Sequence, residues 1–204
     1  MNKQGIRQQI SGLLNRNDAT NAQLDVFIDQ AVARIQRTLR VPPMERVQIY
    51  TVETETNGSL SLPNDFLQLK HLYTSTGTIN YTDLGNFIKT VDVPGQTPTI
   101  YTRVQGSLLV KPSPPEDFQI TMVYYGEIPD LVNDTDTNFI TEIAPDLLVY
   151  GALTFAADFF IDERREAFEQ VAVRIFREIQ DQADAMEFAQ EGMTISTAFN
   201  NPEY

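Results

Sequence analysis

Hydrophobic residues recur at helical spacing towards both ends of the chain. Apolar residues within Leu24–Leu39 follow i, i+3, i+4 and i+7 spacing, which predicts an amphipathic helix, and Ile6–Leu14 carries a shorter stripe of the same kind. We expect Val41-Pro42-Pro43 to stop the second helix. Pro145–Phe160 is apolar on almost every side, which predicts a central core helix because every side must be covered. Arg164–Glu191 is amphipathic and predicts a long partner helix, so that the two form a helical hairpin.

Between these helices the pattern changes to the alternation typical of strands. Asn57-Gly58 predicts a hairpin that pairs Ser59–Leu62 back onto the strand before it. Leu67, Leu69 and His71 are expected on one face of a later strand. Strands are predicted from Glu45 onwards and at Ser59–Leu62, Leu67–Thr74, Thr78–Thr82, Phe87–Val91, Thr99–Arg103, Leu108–Lys111 and Phe118–Tyr125. Strands so regularly spaced, with no helices between them, favour an antiparallel sandwich or small barrel.

The expected fold class is therefore α+β, with a helical bundle built from N- and C-terminal helices and an inserted antiparallel β-sandwich or small barrel. We predict four segments. Residues 1–44 form the N-terminal helices and 45–130 the β domain. Residues 131–191 supply an acidic connector and the helical hairpin that completes the helical domain, and 192–204 form an extended tail.

Composition narrows the possible functions. The chain has 204 residues, of which 42% are hydrophobic, so a packed core is expected. It contains no cysteine, which excludes disulfides, thiolate metal sites and cysteine nucleophiles, and its single histidine is His71. A net charge of −13 argues against binding nucleic acid by neutralising phosphates. No apolar signal segment is visible at the N-terminus, so we expect synthesis in the cytosol.

One acidic stretch has the spacing of a calcium loop. Asp134, Asp136 and Asn138 match its first ligand positions, but Phe139 and Pro145 occupy the positions that require glycine and glutamate. An acidic turn that caps the next helix is the preferred interpretation.

Two adjacent carboxylate pairs are the other candidates for chemistry. Glu116-Asp117 and Asp162-Glu163 could act as glycosidase carboxylates, but adjacent acids on turns are usually solvated. His71 lies in a strand pattern, which favours a packed or surface histidine over a catalytic one. There is no glycine-rich phosphate loop, nucleophile elbow or zinc-protease motif. We therefore predict no enzyme activity, catalytic residue, metal site or cofactor.

The last residues are polar apart from Ile195, Phe199 and Tyr204. Two interpretations remain open. The segment is either a frayed terminus or a peptide that folds onto a partner, with these three side chains as anchors.

The order of short motifs resembles that of the phage adaptor, or head-to-tail connector, proteins of tailed bacteriophages. The resemblance covers most of the chain, although Leu148-Val149 replaces an expected Tyr-Leu and residues 77–98 are variable. The matching stretches are the helix Leu24–Leu39 with its basic end Arg37–Arg40, Leu60–Leu72 (like LPxDFLxLxxL), Leu109–Ser113 (like I-x-L-x-P), Met122–Tyr125 before Ile128–Leu131 (like YY…IPxL), and Phe139 with Pro145–Leu153 (like F…PDLYLYGAL).

The resemblance implies a structural virion protein at the head–tail junction. Such proteins form a ring, usually of twelve copies, that bridges the portal protein to the tail nozzle or tail tube. Their C-terminal segments reach the portal, which implies portal contacts by Ile195, Phe199 and Tyr204. Leu62, Pro63, Asp65 and Phe66 carry over only as residues that specify the fold.

Packaged DNA runs through the channel of such a ring. Copies that each carry a charge of −13 would repel the phosphates from the channel wall, so DNA would pass without sequence-specific binding. No membrane partner is implied.

Other functions stay open from the residues alone. A tail-completion or tube-terminator protein would also surround DNA and would differ in its position in the particle. A glycan-binding or hydrolytic β module would need a sugar-sized pocket with exposed aromatic residues, and the absence of tryptophan weighs against it. A cytosolic enzyme has little support.

Overall fold

The computed structural model describes residues 1–16, 18–52 and 58–190. The chain divides into two compact units. Met1–Pro42 and Pro129–Tyr204 form one, called here the helical unit, and Pro43–Ile128 form the other, called the β unit. The protein is a mixed α+β protein, as the sequence predicts.

The described residues form six α-helices and eight strands. None of these helices is both long and apolar enough to cross a bilayer. The helices are α1 Lys3–Leu14, α2 Asn21–Gln36, α3 Leu84–Lys89, α4 Phe139–Ile143, α5 Pro145–Phe159 and α6 Arg165–Gln190. The strands are β1 Glu45–Thr51, β2 Ser59–Ser61, β3 Phe66–Thr74, β4 Gly77–Thr78, β5 Asn80–Tyr81, β6 Ile100–Val104, β7 Ser107–Lys111 and β8 Gln119–Gly126.

The first two helices begin at side chains that satisfy free backbone amides. The Asn2 side chain accepts a hydrogen bond from the Gly5 amide, so α1 starts before the predicted Ile6. Thr20 and Gln23 form a reciprocal capping box at the start of α2. This helix ends at Gln36, ahead of the prolines that we expected to stop it. The Ile35 carbonyl accepts from the Thr38 and Leu39 amides in a tightened last turn.

Helix α5 is the centre of the helical unit. Pro145 occupies its first turn, where a missing N–H group costs nothing. Helices α1, α2, α4 and α6 all contact it. Leu148, Ala152 and Leu153 are fully buried, so the prediction of a core helix is confirmed.

The strands pair differently from the predicted hairpin. One sheet has the order β1-β8-β3-β4 and the other β2-β7-β6-β5, and the described strands form no closed barrel. The prediction that Ser59–Leu62 pairs back onto β1 is wrong, because Leu60 lies opposite Leu108 on β7. Strand β1 instead pairs with β8, and Val52 extends that ladder by donating to the Phe118 carbonyl. The β2–β7 pairing places the buried side chains of Leu60 and Leu108 opposite one another, and this burial outweighs the local turn signal.

The segment predicted as the strand Phe87–Val91 contains helix α3 instead. Asp83 caps this helix by accepting from the Asn86 amide at 3.1 Å, and Phe87 is buried beneath it. The adjacent strand β5 pairs with β6 in parallel, which departs from the all-antiparallel expectation.

Strand β3 changes face along its length. Its register against β8 shifts between Phe66 and Gln68 and again between Leu69 and His71. Leu69 and Leu72 therefore both contact the core, whereas His71 is exposed. The expectation that Leu67, Leu69 and His71 share one face is wrong for this reason.

One cluster of buried residues draws on both sheets of the β unit. It includes Leu60, Leu108 and Val110 from one sheet and Leu72, Ile120, Met122 and Tyr124 from the other.

Candidate functional site

The predicted portal-binding residues Ile195, Phe199 and Tyr204 lie outside the described residues. Their role therefore stays a prediction. The described residues nevertheless show what the other motif residues do.

Two of the motifs meet at the start of β3. The Tyr124 hydroxyl donates to the Asp65 carboxylate at 2.9 Å, and the two rings of Phe66 and Tyr124 stack with centroids 5.7 Å apart. The Phe66 amide donates to the Pro63 carbonyl, which closes the turn before the strand. A Cβ atom on Gly126 would lie 2.8 Å from an Asp65 carboxylate oxygen, so only glycine leaves room for that carboxylate. The motif residues thus hold β3 and β8 together.

This contact predicts loss of stability at alkaline pH. Burial, together with the hydrogen bond to the Asp65 carboxylate, raises the pKa of Tyr124 to about 12. The folded pKa exceeds the ordinary value of 10.0, so the stabilisation is present below pH 10 and is lost as pH rises through 12. The unfolding free energy of the wild type should therefore fall across this pH range. In Tyr124→Phe we expect it to fall by about 2 kcal/mol less.

Urea unfolding at several pH values between about 9 and 12 measures this fall. Tyr81→Phe is the matched control, because Tyr81 is 66% exposed. Burial also raises the pKa values of Tyr50 and Tyr101, and both residues are retained in both variants. Equal pH profiles for wild type and Tyr124→Phe would contradict the assignment.

The residues of the candidate calcium loop form hydrogen bonds with other residues of the chain. Asp134 accepts from Arg7 at 2.6 Å, and Asp136 accepts from the amides of Val132 and Asn133. Asn138 caps helix α4 by accepting from the Thr141 amide. In the part of the chain that the structure describes, no group of three or more His, Asp or Glu could hold a metal ion.

Arg7 connects α1, α2 and the acidic connector. Its Nε and Nη2 atoms donate to the two Asp25 oxygens at 2.5 and 2.7 Å, and the Lys3 ammonium lies 3.4 Å from the same carboxylate. Burial raises the pKa of the Asp25 carboxyl, but Arg7 and Lys3 outweigh burial and hold the pKa below its ordinary value. The amides of Lys3 and Gln4 also donate to connector carbonyls. The acidic connector is thereby a docking site for α1.

The candidate glycosidase carboxylates also have local partners. Asp162 accepts from Arg164, and these contacts lower the pKa of its carboxyl to about 2. Arg164 also donates to the carbonyls of Leu13 and Leu14 at 3.0 Å, where it caps the end of α1. The second pair, Glu116 and Asp117, lies on an exposed turn.

One polar clamp was not predicted. The Arg40 amide donates to the Gln180 side-chain oxygen at 3.0 Å, and the Gln180 amide group donates back to the Arg40 carbonyl at 3.1 Å. Gln180 belongs to α6, and Glu169 of the same helix forms an ion pair with Arg34 of α2. The clamp residues lie 140 positions apart, so no local pattern in the sequence could have linked them.

Helix α2 approaches α5 closely at Gly151. A Cβ atom there would lie 3.2 Å from the Ala31 Cβ atom. Beside this crossing lies a cleft of about 210 Å³, lined by α2, α5 and α6 residues that include Ile35 and Phe176.

The chain matches a family of known proteins. The family model described as "SU10 adaptor protein" matches residues 1–194. The match includes the whole β unit and ends one residue before Ile195. No curated protein matches the chain.

Proposed function

Because this chain belongs to the SU10 adaptor protein family, we propose that it forms the ring that joins the portal to the tail of a phage particle. Membership of the family makes it a structural adaptor of a phage virion that interacts with other head–tail proteins. The finer proposal is a homo-oligomeric ring, with the portal on one side, the tail nozzle or tail tube on the other, and DNA passing through the channel. The match over residues 1–194 is the observation that carries it.

The fold suits a ring component in which the two units have separate tasks. In this proposal the helical unit, as a bundle around α5, and the tail beyond Glu191 face the portal. The β unit, whose two sheets both contribute to one buried cluster, faces the tail. The net charge of −13 keeps DNA phosphates from adhering to the channel wall.

We expect the tail to carry most of the affinity for the portal. The Met1 ammonium donates to the Thr141 carbonyl at 2.6 Å, so an N-terminal tag would disturb the helical unit. The untagged chain should therefore be applied to immobilised portal protein encoded by the same phage genome. A chain that ends at Glu191, and the triple variant Ile195→Ser, Phe199→Ser and Tyr204→Ser, should each bind at least about tenfold more weakly, since they lack the apolar anchors.

The matched control replaces polar tail residues, Ser196→Ala and Asn200→Ala, and should bind like the wild type. If all the chains bind the portal equally, the adaptor function stands and the role of the tail is wrong. If none binds the portal, while the wild type binds tail-tube proteins, a tube-terminator function replaces the proposal. Binding only to glycans would favour the glycan-binding alternative.

A further inference from the structure

Strand β1 lies at the edge of its sheet and exposes apolar side chains. Val47 is 63% and Ile49 57% exposed. Across the sheet, Val47 pairs with Val123 and Ile49 with Thr121, and these pair in turn with His71 and Tyr73. We call the outer surface of these two rows the β1 face.

The β1 face points away from the core of the β unit. Ile120 and Met122 belong to the buried cluster, and successive side chains of a strand point to opposite sides. Thr121 and Val123 therefore point outwards. An exposed apolar face on an edge strand is a surface typical of protein–protein contacts.

A second apolar surface lies on α3 and on the second residue after its end. Leu84 and Ile88 are one helical turn apart and are 46% and 68% exposed, and Val91 is 79% exposed. We call Leu84, Ile88 and Val91 the α3 patch.

The α3 patch lies on the outer side of the other sheet. Val110 belongs to the buried cluster, so the neighbouring Lys111 points to the opposite side of β7. The Lys111 ammonium donates to the carbonyls of Phe87 and Thr90 at 2.9 Å and lies 4.7 Å from the Phe87 ring centroid. These contacts hold α3 on that outer side. The β1 face and the α3 patch are thus separated by the shared core.

Carboxylates that border the two surfaces form ion pairs or hydrogen bonds with other residues of the β unit. Glu45 forms an ion pair with Lys70 at 2.7 Å, Asp83 caps α3, and Asp92 accepts from the Ser113 amide at 2.7 Å. The two rows of the β1 face contain no acidic residue. In a chain of net charge −13, copies repel one another least where such uncharged surfaces meet.

We infer that the β1 face of one copy packs against the α3 patch of the next copy around the ring. The inference rests on the proposed adaptor function and names the contact that builds the ring. A head-to-tail ring needs two different surfaces on each copy, and these two lie on opposite sides of the β unit. A twofold contact between two β1 faces would close a dimer and leave the α3 patch uncovered.

Cross-linking in assembled particles tests the contact. The chain contains no cysteine, so introduced cysteines are its only reactive thiols. Ile49→Cys and Ile88→Cys are combined in one full-length chain, which replaces the wild-type chain in virions that are then treated with a short bismaleimide. We expect a ladder of covalent oligomers that extends beyond the dimer. Each single variant should give none, because a head-to-tail contact joins two different positions.

The matched control combines Val26→Cys with Ile88→Cys, since Val26 is a similarly exposed apolar residue, at 51%, of the helical unit. A dimer from Ile49→Cys alone would overturn the inference in favour of a twofold contact. No ladder from the double variant, or an equal ladder from the control, would also overturn it while the adaptor function stands. If the wild-type chain is absent from purified virions, both proposals fall.

Discussion

Replacing Gly151 by leucine is expected to destabilise the helical unit by about 3 kcal/mol or more. A Cβ atom at this position would already lie 3.2 Å from the Ala31 Cβ atom, so the further atoms of a leucine side chain would press against α2. Because α5 is contacted by α1, α2, α4 and α6, the strain reaches most of this unit. Urea unfolding followed by circular dichroism measures the loss.

Two further variants distinguish the steric effect of the close contact at Gly151 from the effect of replacing a glycine on helix propensity. Gly151→Ala should change the stability little, because a propensity gain of about 1 kcal/mol offsets the tight contact. Gly12→Leu is the matched control on α1, since a Cβ atom on Gly12 would meet no atom of a neighbouring element within 4 Å, and it should stabilise the protein slightly. If Gly151→Leu and Gly12→Leu have similar effects, the helices are not closely packed at Gly151.

Asp65→Ala is expected to destabilise the β unit by about 2 kcal/mol. The substitution removes the carboxylate that accepts the hydrogen bond of the Tyr124 hydroxyl. Tyr124 is only 5% exposed, so its hydroxyl is left buried without this acceptor. Unfolding free energies from urea titration measure the effect, and Asp65→Asn, which keeps an acceptor oxygen, should cost less.

A double-mutant cycle assigns that loss to the contact with Tyr124. Tyr124→Phe should cost about 1 kcal/mol. Combined with Asp65→Ala, it should give a total smaller than the sum of the two single losses, because no buried hydroxyl is then left unpaired. Strictly additive losses would show that Asp65 stabilises only the turn before β3 and that its contact with Tyr124 contributes nothing.

The spacing of apolar residues along the sequence predicted the longer helices correctly. The apolar run from Pro145 identified the core helix, and helical spacing identified α1, α2 and α6. The same reasoning missed α3, because Asp83 caps a short helix in a segment where isolated apolar residues resemble a strand. The α+β class and the adaptor family are confirmed.

Contacts between distant residues could not be predicted in this way. The pairing of Leu60 with Leu108 overrides a strong hairpin signal, and the shifts in β3 move His71 to the exposed side. Residue types also do not reveal which carboxylate meets which arginine, as the contact between Arg7 and Asp134 shows. The predicted tail anchors lie outside the described residues and beyond the family match, so they remain a prediction.

The division of the chain has a consequence for its biosynthesis. The β unit is one uninterrupted stretch, Pro43–Ile128, and can therefore collapse on the ribosome as soon as it emerges. The helical unit cannot fold this early, because α1 and α2 pack against α5. Helix α5 is translated more than a hundred residues after them. During that interval their apolar stripes are open to chaperones and to other nascent chains. Since α5 and α6 are translated after all the other helices of this unit, fragments cut short before them would leave those stripes uncovered.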